Sequence, residues 1–220
     1  MINPAPFIGI IRHRIGIDGE GVTTLAAFHG CPLQCKYCLN PSCHGPVEVC
    51  RTLTPEQLYE EVRIDQLYFL ATHGGVCFGG GEPLLRSNFI VRFRELCGPD
   101  WQLTLETSLY VPTDNLKSVL SVADYFIVDI KDLHPDIYQK YTERPIDLLL
   151  DNLKYLSQNF PTQQVMIRVP LIPNYNTDND RTWSVEQLMA YGFQNFDRFE
   201  YRTDIAQKDS YIIHNQKIKK

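Results

Sequence analysis

The chain has 220 residues, 44% of them hydrophobic and 21% charged, with a formal net charge of −5. That length suits one domain with a sizeable core better than two small ones, and the hydrophobic share excludes wholesale disorder. The acidic balance argues against nucleic acid as the main partner, because phosphate binding wants a basic face. Lys217, Lys219 and Lys220 make only a short basic run, read as a solvated tail. The opening residues Met1 to Pro6 lack the basic region, apolar run and cleavage site of a secretory leader. No stretch is apolar and long enough to cross a bilayer. The expectation is a cytoplasmic protein with no membrane partner, in a compartment where thiols stay reduced. Seven cysteines, an odd number, disfavour a disulfide framework, so clustered cysteines point to metal.

Short β-rich runs alternate with amphipathic helical runs along the chain. Thr23–Phe28 reads as a first strand. Thr54 then N-caps a helix, with Pro55 at its first position and Gln57 completing a capping box. Val76–Phe78 is a second short strand, stopped by three glycines. Phe89, Ile90, Phe93 and Leu96 share one helical face, and Gly98 ends that helix. Gln102–Leu105 is the third strand, followed by a weaker helix around Leu116 to Val122. Tyr125–Val128 is the fourth. Ile146, Leu149, Leu150, Leu153 and Leu156 form the clearest helical stripe. Val165–Val169, ended by Pro170, is the fifth strand. A helix from Trp183 to Tyr191 and a sixth strand near Arg198 to Tyr201 complete the series. Such alternation implies βαβ units and a parallel sheet. The expected fold is α/β, a partial (β/α)6 TIM-like barrel. One domain spans residues 1–220, with a core at about 17–205, a short N-terminal extension and a C-terminal tail.

In either an open sheet or a barrel, function gathers at the carboxyl ends of the strands. The sequence places chemistry there. Cys31, Cys35 and Cys38 follow the first strand, Gly79-Gly80-Gly81-Glu82-Pro83 the second, Glu106-Thr107-Ser108 the third and Asp129-Ile130-Lys131 the fourth. Three thiolates on one loop can converge on one centre. In a [4Fe–4S] cluster they leave one iron open, and an open iron can bind a substrate. The alternative is zinc, with His29, Cys43 or His44 as a fourth ligand. Glycines let the backbone approach a ligand closely, and Glu82 adds a carboxylate beside them. Cys77 and Cys97 read as small core residues, and Cys43 and Cys50 are too few for a second cluster.

The spacing Cys-x-x-x-Cys-x-aromatic-Cys, with Tyr37 as the aromatic residue, resembles the motif of the radical S-adenosylmethionine (SAM) superfamily. Gly79–Pro83 resembles that superfamily's second motif. The resemblance is strongest to the activating enzymes of glycyl radical enzymes, of pyruvate formate-lyase activating type, and runs from about Ile17 to Asn176. Its carriers are Ile17–Gly21, Phe78–Leu85, Asp129-Ile130-Lys131 and Arg168–Pro173. It implies a radical SAM core in which Cys31, Cys35 and Cys38 hold a [4Fe–4S] cluster that reductively cleaves SAM. Gly80, Gly81 and Glu82 would hold the methionine end, and the Tyr37 backbone would lie beside the adenine. Glu106, Thr107 and Asp129 would line the cofactor, with a monovalent cation as a further expectation between them, and Lys131 would reach its polar groups. Implied partners are a glycyl radical enzyme as protein substrate and flavodoxin or ferredoxin as electron donor, in an anaerobic setting. A small molecule or peptide as substrate, or a non-catalytic zinc or iron–sulfur module, are the alternatives. The sequence departs from the family at Glu20, Gly79, Leu109 and Glu143, the last two where glycines are usual. A late family histidine has no match in Glu200–Asp204.

Overall fold

The computed structural model describes residues 2–201. The lysines at 217, 219 and 220, and Arg202 to Asp204, lie outside the described residues. Eight strands form one sheet: β1 (Ala5–Ile15), β2 (Val22–Phe28), β3 (Arg51–Leu53), β4 (Gly75–Gly80), β5 (Gln102–Thr107), β6 (Tyr125–Asp129), β7 (Val165–Leu171) and β8 (Asn195–Glu200). Their order is β3-β1-β2-β4-β5-β6-β7-β8. The six strands from β2 to β8 in that order run parallel, and β1 and β3 form an antiparallel edge. The six parallel strands are the six expected, and the arrangement is that of a partial barrel. The sequence reading missed β1 and β3. β1 mixes partly buried and exposed positions instead of alternating, as an edge element does.

Helices cover the outer face. α1 (Pro55–Val62) begins at the predicted cap: the Thr54 hydroxyl accepts from the Gln57 N–H, and the Gln57 side chain accepts from the Thr54 N–H. α2 (Gln66–Thr72) is short and was not anticipated. α3 (Ser87–Cys97) ends at Gly98 as expected, and α4 (Thr113–Val119) takes the weak stripe. α5 (Pro135–Thr142) was also missed. α6 (Asp147–Asn159) buries Leu149, Leu153 and Leu156, the predicted stripe, and α7 (Asp178–Ala190) begins five residues before Trp183. Pro170 does not end its strand. β7 continues to Leu171 because Pro170 sits in parallel register with Phe199 on β8.

The two faces of the sheet differ in kind. Ala26, Phe28, Val76, Phe78, Leu103, Leu105, Phe126, Val128, Ile167 and Val169 form the outer layer, packed with the helices in one core. Alternation sends the residues between them inward. That inner face carries Leu25, Ala27 and Cys77 near its middle, and charged residues toward the strand ends. Cys77 is a fully buried core residue, while Cys97 is only partly buried. No helix among the described residues is long and apolar enough to cross a membrane.

Candidate active site

Strand parity builds the floor of the site. Glu106 on β5, Asp129 on β6, Arg168 on β7 and Asp197 on β8 fall on the inner face, with Asp129 beside Arg168 and Arg168 beside Asp197 in register. Arg168 Nη1 donates to Glu106 Oε1 at 2.6 Å and lies 3.9 Å from Asp129. Its Nε is 3.7 Å from Asp197 and its Nη2 donates to the Ile17 carbonyl at 3.1 Å. Arg168 is therefore enclosed by acids rather than exposed at a rim. Burial, then the neighbouring Asp129, pushes the Glu106 carboxyl up to about 7, against the pull of Arg168.

The walls are the cysteine loop and the glycine segment, and they lean on each other. Gly81 N–H donates to the Phe28 carbonyl at 2.9 Å, Glu82 N–H to the Gly30 carbonyl at 2.8 Å, and the Asn40 amide to the Gly80 carbonyl at 3.1 Å. Side chains would break this contact. Gly80 has φ +87°, and a Cβ on Gly81 would stand 2.2 Å from the Gly30 oxygen. The unforeseen α5 holds the loop from its other side. Gln34 N–H donates to the Thr142 carbonyl at 3.0 Å, Lys36 N–H to the Tyr141 carbonyl at 3.2 Å, and Arg144 Nε to the Pro32 carbonyl at 2.8 Å.

The recess between these walls is lined by Cys31, Cys35 and Cys38 together with Gly80, Gly81, Glu82, Glu106, Thr107, Asp129 and Lys131. Every predicted site residue is brought together there except Tyr37. Its ring turns aside to pack edge-on against Tyr141 and Tyr175. Glu82 is buried and fully used: Thr107 Oγ1 and the Leu84 N–H donate to one oxygen at 2.6 and 3.2 Å, and the Ser108 N–H and hydroxyl to the other at 2.9 and 2.6 Å. Burial raises its pKa and these donors oppose the rise. Lys131 is buried, so it forms no surface ion pair with Asp129, which lies 3.7 Å away. Its ammonium donates to the Tyr201 hydroxyl at 3.2 Å. Burial pulls Lys131 down, yet Asp129 and its other neighbours carry it well above the ordinary lysine value.

The sequence reading gave no role to Ser108, Asn40 or Tyr201 and offered Cys43 only as a fourth ligand to zinc, although all four line the recess or its continuation. Asn40-Pro41, one residue beyond Cys38, was a usable turn signal. The left-handed backbone at Leu109 (φ +57°) and Glu143 (φ +61°) explains why glycines are expected at those two positions.

The three thiols fit a cluster. All three are free and half-buried, and all face one recess. Burial, then Glu82, pushes Cys31 up to about 12, and burial also raises Cys35. The Cys43 side chain close beside it brings Cys38 down to about 6. Among the described residues the sulfurs of Cys38 and Cys43 and a His44 ring nitrogen lie within 4.8 Å of one another, the spacing of single-ion ligands; Cys31 and Cys35 are outside that group. A single ion there would leave two thiols facing the recess unused. A cubane, whose ligands each stand beyond their own iron, uses all three loop cysteines. Two buried hydroxyls beside the loop, on Tyr138 and Tyr141, have no protein partner, and both feel Cys35 and Lys131.

Comparison with known proteins agrees. Residues 26–182 match the radical SAM superfamily. The chain is 29% identical to the (2S)-3-sulfopropanediol dehydratase activating enzyme of Klebsiella oxytoca, over 73% of this chain and 69% of that one. It is 30% identical to the pyruvate formate-lyase-activating enzyme of Staphylococcus aureus, over 84% of this chain and 75% of that one. Among solved structures, Streptococcus suis SuiB bound to precursor peptide SuiA superposes with a TM-score of 0.62 at 14% identity, covering 81% of this chain and 38% of that one, which speaks for the fold. The chain belongs to the radical SAM superfamily and is an enzyme of the glycyl-radical-activating type.

Proposed function

We propose that this chain, acting as one domain over residues 1–220, converts a partner enzyme to its glycyl radical form. Bound in the recess, a [4Fe–4S] cluster would supply the one-electron reductive cleavage of SAM that yields a 5′-deoxyadenosyl radical. Cys31, Cys35 and Cys38 would hold the cluster. Gly80 and Gly81 let this segment pack close on Ala27 and Gly30, where a Cβ would clash, and so would hold it at the amino acid end of the cofactor. Glu82 fixes that segment through Thr107, Ser108 and Leu84, and its buried charge would act on the ammonium at a distance rather than by a direct hydrogen bond. Lys131, kept charged by Asp129, suits the carboxylate or ribose. The Tyr37 backbone is the reading for the adenine edge. Glu106, Thr107 and Asp129 line the floor; a monovalent cation there would share it with Arg168, which already supplies positive charge.

The observation that carries this reading is the convergence of three free thiols and the glycine–glutamate segment on one recess at the strand ends. The substrate enters the same argument through kinship. The relatives are activating enzymes of other enzymes, so the hydrogen atom removed comes from a glycine of a protein partner. The electron donor is read as flavodoxin or ferredoxin. The test mixes reduced, cluster-loaded protein with SAM and candidate glycyl radical enzymes. A glycine-centred radical in the electron paramagnetic resonance spectrum, with release of 5′-deoxyadenosine, is expected. A colourless protein carrying one zinc and no SAM cleavage overturns the reading.

A further inference from the structure

The loop beyond the three cluster cysteines holds a fourth thiol that the proposed chemistry does not use. Cys43 is 2% exposed and lies on a single helical turn, Pro41–His44. Both its backbone groups are fixed: its N–H donates to the Asn40 carbonyl at 3.0 Å, and its carbonyl accepts from the Gly30 N–H at 3.0 Å. A further tether joins the ring of His29 to the Gly45 carbonyl at 2.9 Å. These bonds tie Cys43 to the residue before Cys31 and to the residue two beyond Cys38. The result is a sulfur held within 4.8 Å of the Cys38 sulfur and facing the same recess.

What this thiol can do follows from its place. It is too buried for exchange with outside reagents. Two sulfurs this close are poor ligands for separate corners of a cubane, but they suit a donor and an acceptor. Sulfur is a weak acceptor as a thiol and a better one as a metal-bound thiolate. We propose that Cys43 donates its S–H hydrogen bond to the Cys38 sulfur and thereby sets the reduction potential of the cluster that Cys38 holds. This rests on the cluster reading above. Reduction adds one electron from a low-potential donor and makes the cluster more negative; no bond breaks and no proton moves. A donor on a ligand sulfur stabilises the reduced state more than the oxidised one and raises the potential.

The test is a redox titration of anaerobically reconstituted wild type, Cys43→Ala and Cys43→Ser, followed by the paramagnetic signal of the reduced cluster. The expected result is a more negative potential in Cys43→Ala, with the reduced-to-oxidised ratio at fixed poise falling about tenfold, which is about 59 mV for one electron. Cys43→Ser, which keeps a donor, recovers most of the shift. An unchanged potential in Cys43→Ala, with iron content at the wild-type level, overturns the proposal while the cluster reading stands. A wild-type protein that takes up zinc and no cluster overturns both. Should Cys43→Ala fail to retain iron, deuterium hyperfine spectroscopy on the reduced wild type decides. A strongly coupled exchangeable deuteron that changes in Cys43→Ser supports the hydrogen bond, and its absence rules the bond out. A SAM-insensitive signal that becomes SAM-sensitive in Cys43→Ser would make Cys43 a fourth ligand instead, and also overturns it.

Discussion

Replacing Glu106 by Gln tests the electrostatics of the barrel floor. Glu106 is enclosed with Asp129 and Asp18 nearby, and its carboxyl is raised from 4.5 to about 7 by burial and by Asp129. Below pH 4.5 the group is protonated whether the chain is folded or not, so it costs the fold nothing. As the pH climbs toward 7 the unfolded chain ionises first, and the folded protein comes to carry a buried charge that water would have solvated. The stability associated with neutral Glu106 is therefore complete at low pH and lost as the pH passes about 7. At about 1.4 kcal/mol per pH unit, the rise from 4.5 to about 7 amounts to about 3 kcal/mol. That is a ceiling, because the side chain retains 23% exposure and solvent screens it. Urea denaturation of the cluster-free protein between pH 4.5 and 8 measures it. Wild type should lose about 2–3 kcal/mol relative to Glu106→Gln across that window. Parallel stability profiles for the two proteins would refute the reasoning.

Three further substitutions probe the walls of the site. In Gly81→Ala the added Cβ meets the Gly30 oxygen at 2.2 Å. Denaturation should show a loss of about 2 kcal/mol or more, and iron assays should show poor cluster uptake. Asn152 is fully buried, and its amide donates at 2.7 Å to the carbonyls of both Leu109 and Val111, so Asn152→Ala strands two buried acceptors. A loss of about 2–4 kcal/mol is expected by chemical melting, and less than 1 kcal/mol would contradict the accounting. Glu143→Gly relieves a left-handed backbone at the end of α5 and forfeits only an exposed pair with Lys36. Thermal unfolding should show a gain of about 1 kcal/mol, and a loss would mean that the pair matters more than the strain.

The sequence was most legible where local rules and burial agree. The Thr54 capping box, the Gly98 stop and the α6 stripe each depend on a few neighbouring residues, and each stands in the structure. The parallel strands were readable because both faces are largely covered, which makes runs such as Val76-Cys77-Phe78 apolar throughout. β1 escaped because its edge position leaves Arg12, His13 and Arg14 within an otherwise apolar run; their partners, Asp65 and Asp18, lie outside the strand. α5 escaped because its buried face is made of Tyr138, Tyr141 and Thr142, which carry no simple aliphatic stripe. In the site, motif spacing located the residues but not their engagement. That Glu82 is saturated by Thr107, Ser108 and Leu84, that Arg168 is enclosed, and that Tyr37 turns away all depend on long-range register that a linear pattern does not encode.

The central claim is that three thiolates leave one iron of the cluster free for SAM. Electron paramagnetic resonance of the reduced, reconstituted protein with and without SAM tests it most directly. The account predicts a cluster signal whose shape changes when SAM binds, and which is lost when Cys31, Cys35 or Cys38 is replaced by alanine. A signal unmoved by saturating SAM, or one that survives all three replacements, would contradict it.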